Sequence, residues 1–170
     1  MSWYQSSAPL LGQGYTWEQL QVGMQFRTFR RTITEADLVT FIGCTGMLEA
    51  IFIEADYPGA AISGRPVPAA LTYSIIEGFI LQTMIQGTGL AMLALQQTIE
   101  APVRVGDTIG AVMEVTAIRP TSSKGRAVVT SRIAVFNQRE ERVMTYEATR
   151  LLAGTTTSAT ASMIASASSR

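Results

Sequence analysis

The chain has 170 residues, of which 47% are hydrophobic and 15% charged, with 13 basic residues balancing 13 acidic ones. Zero net charge removes the global attraction that nucleic acid or an anionic membrane surface exploits. The complete lack of histidine excludes a Ser-His-Asp triad, a Cys-His pair or a histidine-bearing zinc site built from this chain alone.

The length predicts one domain with a sizeable core. So apolar a composition with so few charges predicts buried subunit interfaces, hence an oligomer. Residues 1–15 mix Ser, Gly, Pro and Gln with aromatics and are expected to form an N-terminal arm. No basic segment followed by an apolar run occurs in residues 1–21, so no secretory signal is expected. The domain is expected to span residues 16–152, and residues 24–31 alternate as a first strand does. Thr34-Glu35-Ala36-Asp37 reads as a helix start, with Thr34 as N-cap and a carboxylate three residues on. Leu38, Val39, Phe41 and Ile42 supply its apolar face as far as Gly43. Cys44 is the single cysteine; it cannot form an internal disulfide, which fits a reducing cytoplasm, and it is read as inert.

Residues 56–68 carry Pro58, Gly59, Gly64, Pro66 and Pro68 and predict loop and turn. A helix is then expected over residues 69–85, apolar on nearly every side, and such a helix has to be wrapped by other structure. Its longest apolar run is too short, and too interrupted by Glu77, Gly78, Gln82 and Thr83, to span a bilayer. Four strands follow, at residues 90–100, 107–119, 127–137 and 142–152, the second with Ile109, Ala111, Met113, Val115 and Ala117 at period two. Residues 153–170 are almost entirely Ala, Ser, Thr and Gly and predict a flexible or loosely packed tail. One buried helix followed by antiparallel strands gives an α+β class, with a curved sheet around a long central helix.

Thr45-Gly46-Met47-Leu48-Glu49-Ala50-Ile51-Phe52-Ile53-Glu54 resembles the active-site segment of MaoC-like acyl-CoA dehydratases and hydratases, which runs Thr/Ser-Gly-Asp-x-Asn-Pro-x-His-x-Asp. Further matching pieces are Thr32-Ile33-Thr34-Glu35-Ala36-Asp37, Gly64-Arg65-Pro66-Val67-Pro68-Ala69-Ala70-Leu71-Thr72 and Ala101-Pro102-Val103-Arg104-Val105-Gly106-Asp107-Thr108, with Asn137-Gln138 entering the last strand. Their order resembles a single hotdog domain over residues 16–152. The resemblance implies an acyl-CoA thioester as substrate or ligand, with no other cofactor and no metal. It also implies a homodimer or higher oligomer, or a heteromer with another hotdog chain, in the cytoplasm.

By the same resemblance, the family's catalytic Asp and His fall on Met47 and Phe52, its Asn on Glu49 and its Pro on Ala50. Neither a thioether nor a phenyl ring moves a proton, so these two residues fill the core or form an apolar wall for a bulky acyl group. The family's His-Gly at the helix entrance falls on Pro68-Ala69, leaving the N–H groups of Ala69 and Ala70 to bind the thioester oxygen. Pro68 reads equally as a helix-starting proline.

Three carboxylates are candidate substitutes for the lost pair: Glu49, Glu54 and Glu77. Glu77 follows Ala70 by seven residues, near the offset at which related thioesterases carry a catalytic carboxylate. The plainer readings are loop contacts for Glu49 and Glu54, and a solvated or arginine-paired Glu77. Arg65, Arg104, Lys124 and Arg126 either border a tunnel mouth and bind the coenzyme A phosphates or are solvated surface cations. Three functions follow: an acyl-CoA-binding relative of the hydratases without their acid–base pair, a non-catalytic subunit of an active hotdog hydratase, or a thioesterase using Glu77.

Overall fold

In the computed structural model, which describes residues 12–59, 61–122 and 125–155, an antiparallel sheet curves around one helix. The strands are β1 (Gln25–Arg27), β2 (Arg31–Thr32), β3 (Gly89–Ile99), β4 (Thr108–Pro120), β5 (Arg126–Phe136) and β6 (Arg142–Ala153). They are ordered β1-β4-β5-β6-β3, with β2 also pairing β4. The helices are α1 (Glu35–Thr45), α2 (Ala50–Ile53) and the central α3 (Ala69–Gln82).

Alternation builds the inner face. On β4, Ile109, Ala111, Met113 and Val115 are buried; on β6, Met144, Tyr146, Ala148, Arg150 and Leu152 are. These rows close over Leu71, Ile75, Ile76, Phe79 and Ile80 of α3 in one core. Most of the helix's apolar girth is therefore covered, as its sequence required, while Leu81 near its end stays exposed. Among the described residues no helix is long and apolar enough to cross a membrane.

The predicted cap of α1 is present: Thr34 Oγ1 accepts the Asp37 N–H, and the Asp37 carboxylate accepts the Thr34 N–H at 2.8 Å. Burial alone raises the Asp37 carboxyl, but its bonds from Thr34 and the guanidinium of Arg31 outweigh that and hold it below the usual carboxylate range. Gly46 ends the helix in the left-handed conformation, φ 73°, and returns its N–H to the Ile42 carbonyl.

Three expectations need correction. The single strand at residues 24–31 is two strands, because residues 28–30 of the chain oppose only residues 110 and 111 of β4. Thr28 bridges the gap, with its N–H to the Ala111 carbonyl and its hydroxyl accepting the Ala111 N–H, each at 2.9 Å. The extra residue is a bulge that twists the strand away. The central helix stops at Gln82, and residues 83–88 turn tightly, with Ile85 N–H on the Ile80 carbonyl at 3.2 Å. A short helix, α2, occupies the middle of the motif segment, where no element was expected.

Gly14 donates to the Gln86 carbonyl at 2.8 Å. A Cβ there would sit 2.5 Å from Gln86 N and 2.6 Å from Met84 O, so only glycine permits this approach. At the other end Ala153 completes β6, and Gly154 donates to the Gly125 carbonyl at 2.5 Å. The rest of the expected arm and tail, residues 1–11 and 156–170, lies outside the described residues.

Candidate functional site

The motif segment leaves α1 through Gly46 and immediately presents Met47, 41% exposed, and the exposed Leu48. Glu49 then takes the N-cap position of α2 without a side-chain cap bond, and Glu54 closes α2 from the exposed side. Phe52, between them, is half-buried and packs against the core. Met47 and Phe52 are thus an exposed thioether and a partly buried ring. Neither carboxylate beside them is enclosed.

Arg65 braces this segment. Its Nε donates to the Phe52 carbonyl at 2.7 Å, while its terminal nitrogen pairs with Glu35 at 2.5 Å on the first turn of α1. Arg104 braces the neighbouring loop, with its Nε on the Ser63 carbonyl at 2.8 Å and its N–H on the Asp107 carboxylate at 2.8 Å. Val67 N–H meets the Val103 carbonyl at 2.9 Å, so the two loops together fix the entry to α3. Arg126 opens β5 as an exposed residue. Lys124 lies outside the described residues.

Pro68 is the buried N-cap of α3. The N–H groups of Ala69 and Ala70, in the first turn, have no acceptor among the described residues. Both residues are half-buried.

Glu77 lies elsewhere. It is 7% exposed and points from α3 into the sheet, where Oε1 accepts the Tyr146 hydroxyl at 2.8 Å and a terminal nitrogen of Arg150 at 2.5 Å. Tyr146 and Arg150 are four residues apart on β6 and therefore share its inner face. Tyr73 stands one helical turn before Glu77, with its ring centroid 5.2 Å from that of Tyr146, edge to face. Burial first, and then the negative charge of Glu77, pushes both phenols above the ordinary tyrosine range. Both stay protonated donors.

Tyr73, Glu77 and Arg150, but not Tyr146, line an open cavity of about 470 Å³ between α3 and the start of β3, walled also by Leu81, Ile85, Leu90 and Met92. None of Met47, Glu49, Phe52 or Glu54 lines it. The structure therefore separates the candidate carboxylates: Glu49 and Glu54 belong to the exposed motif loop, Glu77 to a buried ion pair. Tyr73, Tyr146 and Arg150 were missed by sequence reasoning. One signal was available, since Tyr146 and Arg150 fall on the same alternating row as Met144, Ala148 and Leu152, and an arginine on a core-facing row needs a buried partner.

Sequence and structure comparisons bear on this architecture. The family model described as FAS1-like, dehydratase domain region, matches residues 20–146. The chain is 24% identical over 116 residues to a 3-hydroxybutyryl-CoA dehydratase of Methylorubrum extorquens, covering 68% of this chain and 73% of that protein. It is 25% identical over 96 residues to an (R)-specific enoyl-CoA hydratase of Rhodospirillum rubrum, covering 56% of this chain and 67% of that one. The monoamine oxidase regulatory protein of Archaeoglobus fulgidus superposes with a TM-score of 0.75 at 26% identity, over 84% of this chain and 97% of that one. With a sheet wrapped around α3 and a match through most of its length, the chain belongs to the FAS1-like dehydratase-region family of MaoC-like hotdog proteins.

Proposed function

We propose that this protein binds an acyl-CoA thioester as a hotdog dimer and does not run the proton relay of hydrating relatives. What carries the reading is the motif loop, where Met47 and Phe52 fall on the acid–base positions by resemblance, in a chain without histidine. Adding water to an enoyl thioester needs a base for the water and an acid for the α-carbon, and neither side chain titrates. What supports binding is the entrance of α3. The free N–H groups of Ala69 and Ala70 sit at the positive end of a 14-residue helix, where a polarised thioester oxygen is stabilised whatever the side chains are.

Titration calorimetry with crotonyl-CoA, paired with a hydration assay of the unmodified protein, tests this. Saturable binding with turnover no faster than the uncatalysed reaction is the expected result. Hydration at rates like those of an active hydratase would show that other groups move the protons.

The dimer is supported by β3. It pairs with β6 on one side only, and every residue along it is exposed, including Leu90, Met92, Leu93, Leu95 and Ile99. An apolar edge strand left open in this way invites pairing. A second copy joined β3 to β3 would extend both sheets and pair the open backbone edge. Sedimentation should give twice the chain mass for the wild type, and Leu93→Lys/Leu95→Lys should reduce it to that of one chain. A wild-type monomer at all concentrations, or assembly only with a different hotdog chain, would refute pairing between copies.

A further inference from the structure

We infer that the groove on the outer face of the sheet, between the β1–β2 bulge and the turn after β5, binds an adenine nucleotide. Arg27 and Arg30 take its phosphate, and Glu140 takes its exocyclic amine. The inference stands apart from the acyl-thioester reading and uses neither the entrance of α3 nor the cavity beside Glu77.

Strand register builds the groove. Arg27 opposes Val112 of β4 on one side, and Phe136 of β5 opposes Gly110 on the other. Val112 is 37% exposed while its neighbours Ala111 and Met113 are buried, so Val112, Gly110 and the residues paired with them share the outer face. Arg27, Phe29 and Arg30 line one bank, Phe136 and Glu140 line the other, and β4 is the floor. The banks stand two strand spacings apart, about 10 Å, around a space of about 740 Å³. A Cβ on Gly110 would lie 2.9 Å from Arg30 Cγ, so the bare position lets the Arg30 stem lie against the sheet. A glycine inside a strand marks such a close approach.

The two banks carry opposite, unpaired charges. Arg31, Arg65, Arg139, Arg142 and Arg150 each hold a carboxylate. Arg27 and Arg30 are exposed and hold none among the described residues. Their guanidiniums, side by side on one bank, suit a phosphate. Glu140 is the one non-glycine residue of positive φ, 61°, among those described. Asn137 fixes this turn: its carbonyl accepts the Glu140 N–H at 3.2 Å, and its Oδ1 accepts the N–H groups of Arg139 and Glu141. Glycine is the residue such a backbone favours, and a strained residue of another type points to a use for its side chain. The Glu140 carboxylate borders the groove and has no partner among the described residues.

This combination selects the ligand. A bare anion would use the arginines and be repelled by Glu140, and a fatty acid would give Glu140 nothing to accept. An adenine nucleotide offers a phosphate to the cations, an amine to the carboxylate and a flat ring to the phenyl groups between them. Phe29 is 58% exposed, so its ring is available to a base.

The test titrates the whole chain calorimetrically with AMP, IMP and inorganic phosphate. AMP should bind about ten- to a hundredfold tighter than phosphate, because stacking adds to the charge contact. IMP has a carbonyl where AMP has its amine and turns an acceptor toward Glu140, so it should bind about tenfold more weakly than AMP. Glu140→Gly relaxes the backbone and should make AMP and IMP equal. Arg27→Gln/Arg30→Gln removes two exposed, unpartnered charges and should weaken AMP about a hundredfold. Crotonyl-CoA on that double variant identifies the source: weaker binding assigns the groove to the nucleotide end of coenzyme A, and unchanged binding assigns it to a free nucleotide. AMP no tighter than phosphate, AMP equal to IMP on the wild type, or AMP indifferent to the arginine pair overturns the site. Any of these with crotonyl-CoA still bound leaves the acyl-thioester reading standing, and AMP binding without crotonyl-CoA does the reverse.

Discussion

Arg150→Met is expected to lower the unfolding free energy by about 3–5 kcal/mol, because it leaves Glu77 as a buried charge with no counterion. Glu77 is 7% exposed and Arg150 is 5% exposed, so water screens neither. Glu77→Leu should cost a similar amount for the mirror-image reason. Glu77→Leu/Arg150→Met should recover most of the loss, since replacing both partners by apolar groups removes the desolvation penalty along with the attraction. Urea denaturation of the four proteins checks the cycle. Single losses below about 1 kcal/mol would mean that solvent reaches the pair, as it does in surface salt bridges.

The same cluster sets an alkaline limit. Burial and the charge of Glu77 raise the Tyr146 phenol above its ordinary value of 10.0, so the folded chain keeps that proton where the unfolded chain releases it. The unfolded state then binds fewer protons, and stability declines as pH rises past that value. Below it the Tyr146 contribution is fully present. Tyr146→Phe should flatten the decline in alkaline urea titrations.

Met47→Asp/Phe52→His is expected to raise crotonyl-CoA hydration about 10²–10⁴-fold over the wild type, the usual worth of positioned acid–base groups. Met47 is 41% exposed, so a carboxylate is tolerated there without burial. Phe52 is half-buried next to the Arg65 contact on its own carbonyl, which holds the backbone at this position. Each single replacement should do little, because groups that act as a unit are far from additive. The assay measures initial rates on the two single variants, the double variant and the wild type. A double variant no faster than the wild type would show that these positions do not face the thioester.

Much of the fold is legible locally. Alternating apolar residues mark β4, β5 and β6, and Thr34 with Asp37 marks the start of α1. The all-round apolar run of α3 demands a wrapping sheet. That Met47 and Phe52 carry no transferable proton is equally a property of the sequence, because neither side chain titrates in any fold.

Contacts between distant segments are a different matter. Glu77 meets Tyr146 and Arg150 across 69 and 73 residues, and strand register rather than local pattern brings them together. The break between β1 and β2 also needs β4 to reveal it, since a bulge is defined by the opposing strand. The same holds for β3, whose leucines resemble those of an inner strand and prove exposed because the sheet ends there. Sequence by itself determined which side chains alternate, where α1 begins and that Met47 and Phe52 bring no titratable group, because those depend on residue type and on neighbours along the chain. Tertiary structure alone decided which carboxylate is buried, what pairs with it and which edge is left open, because those depend on groups that only folding brings within hydrogen-bonding distance.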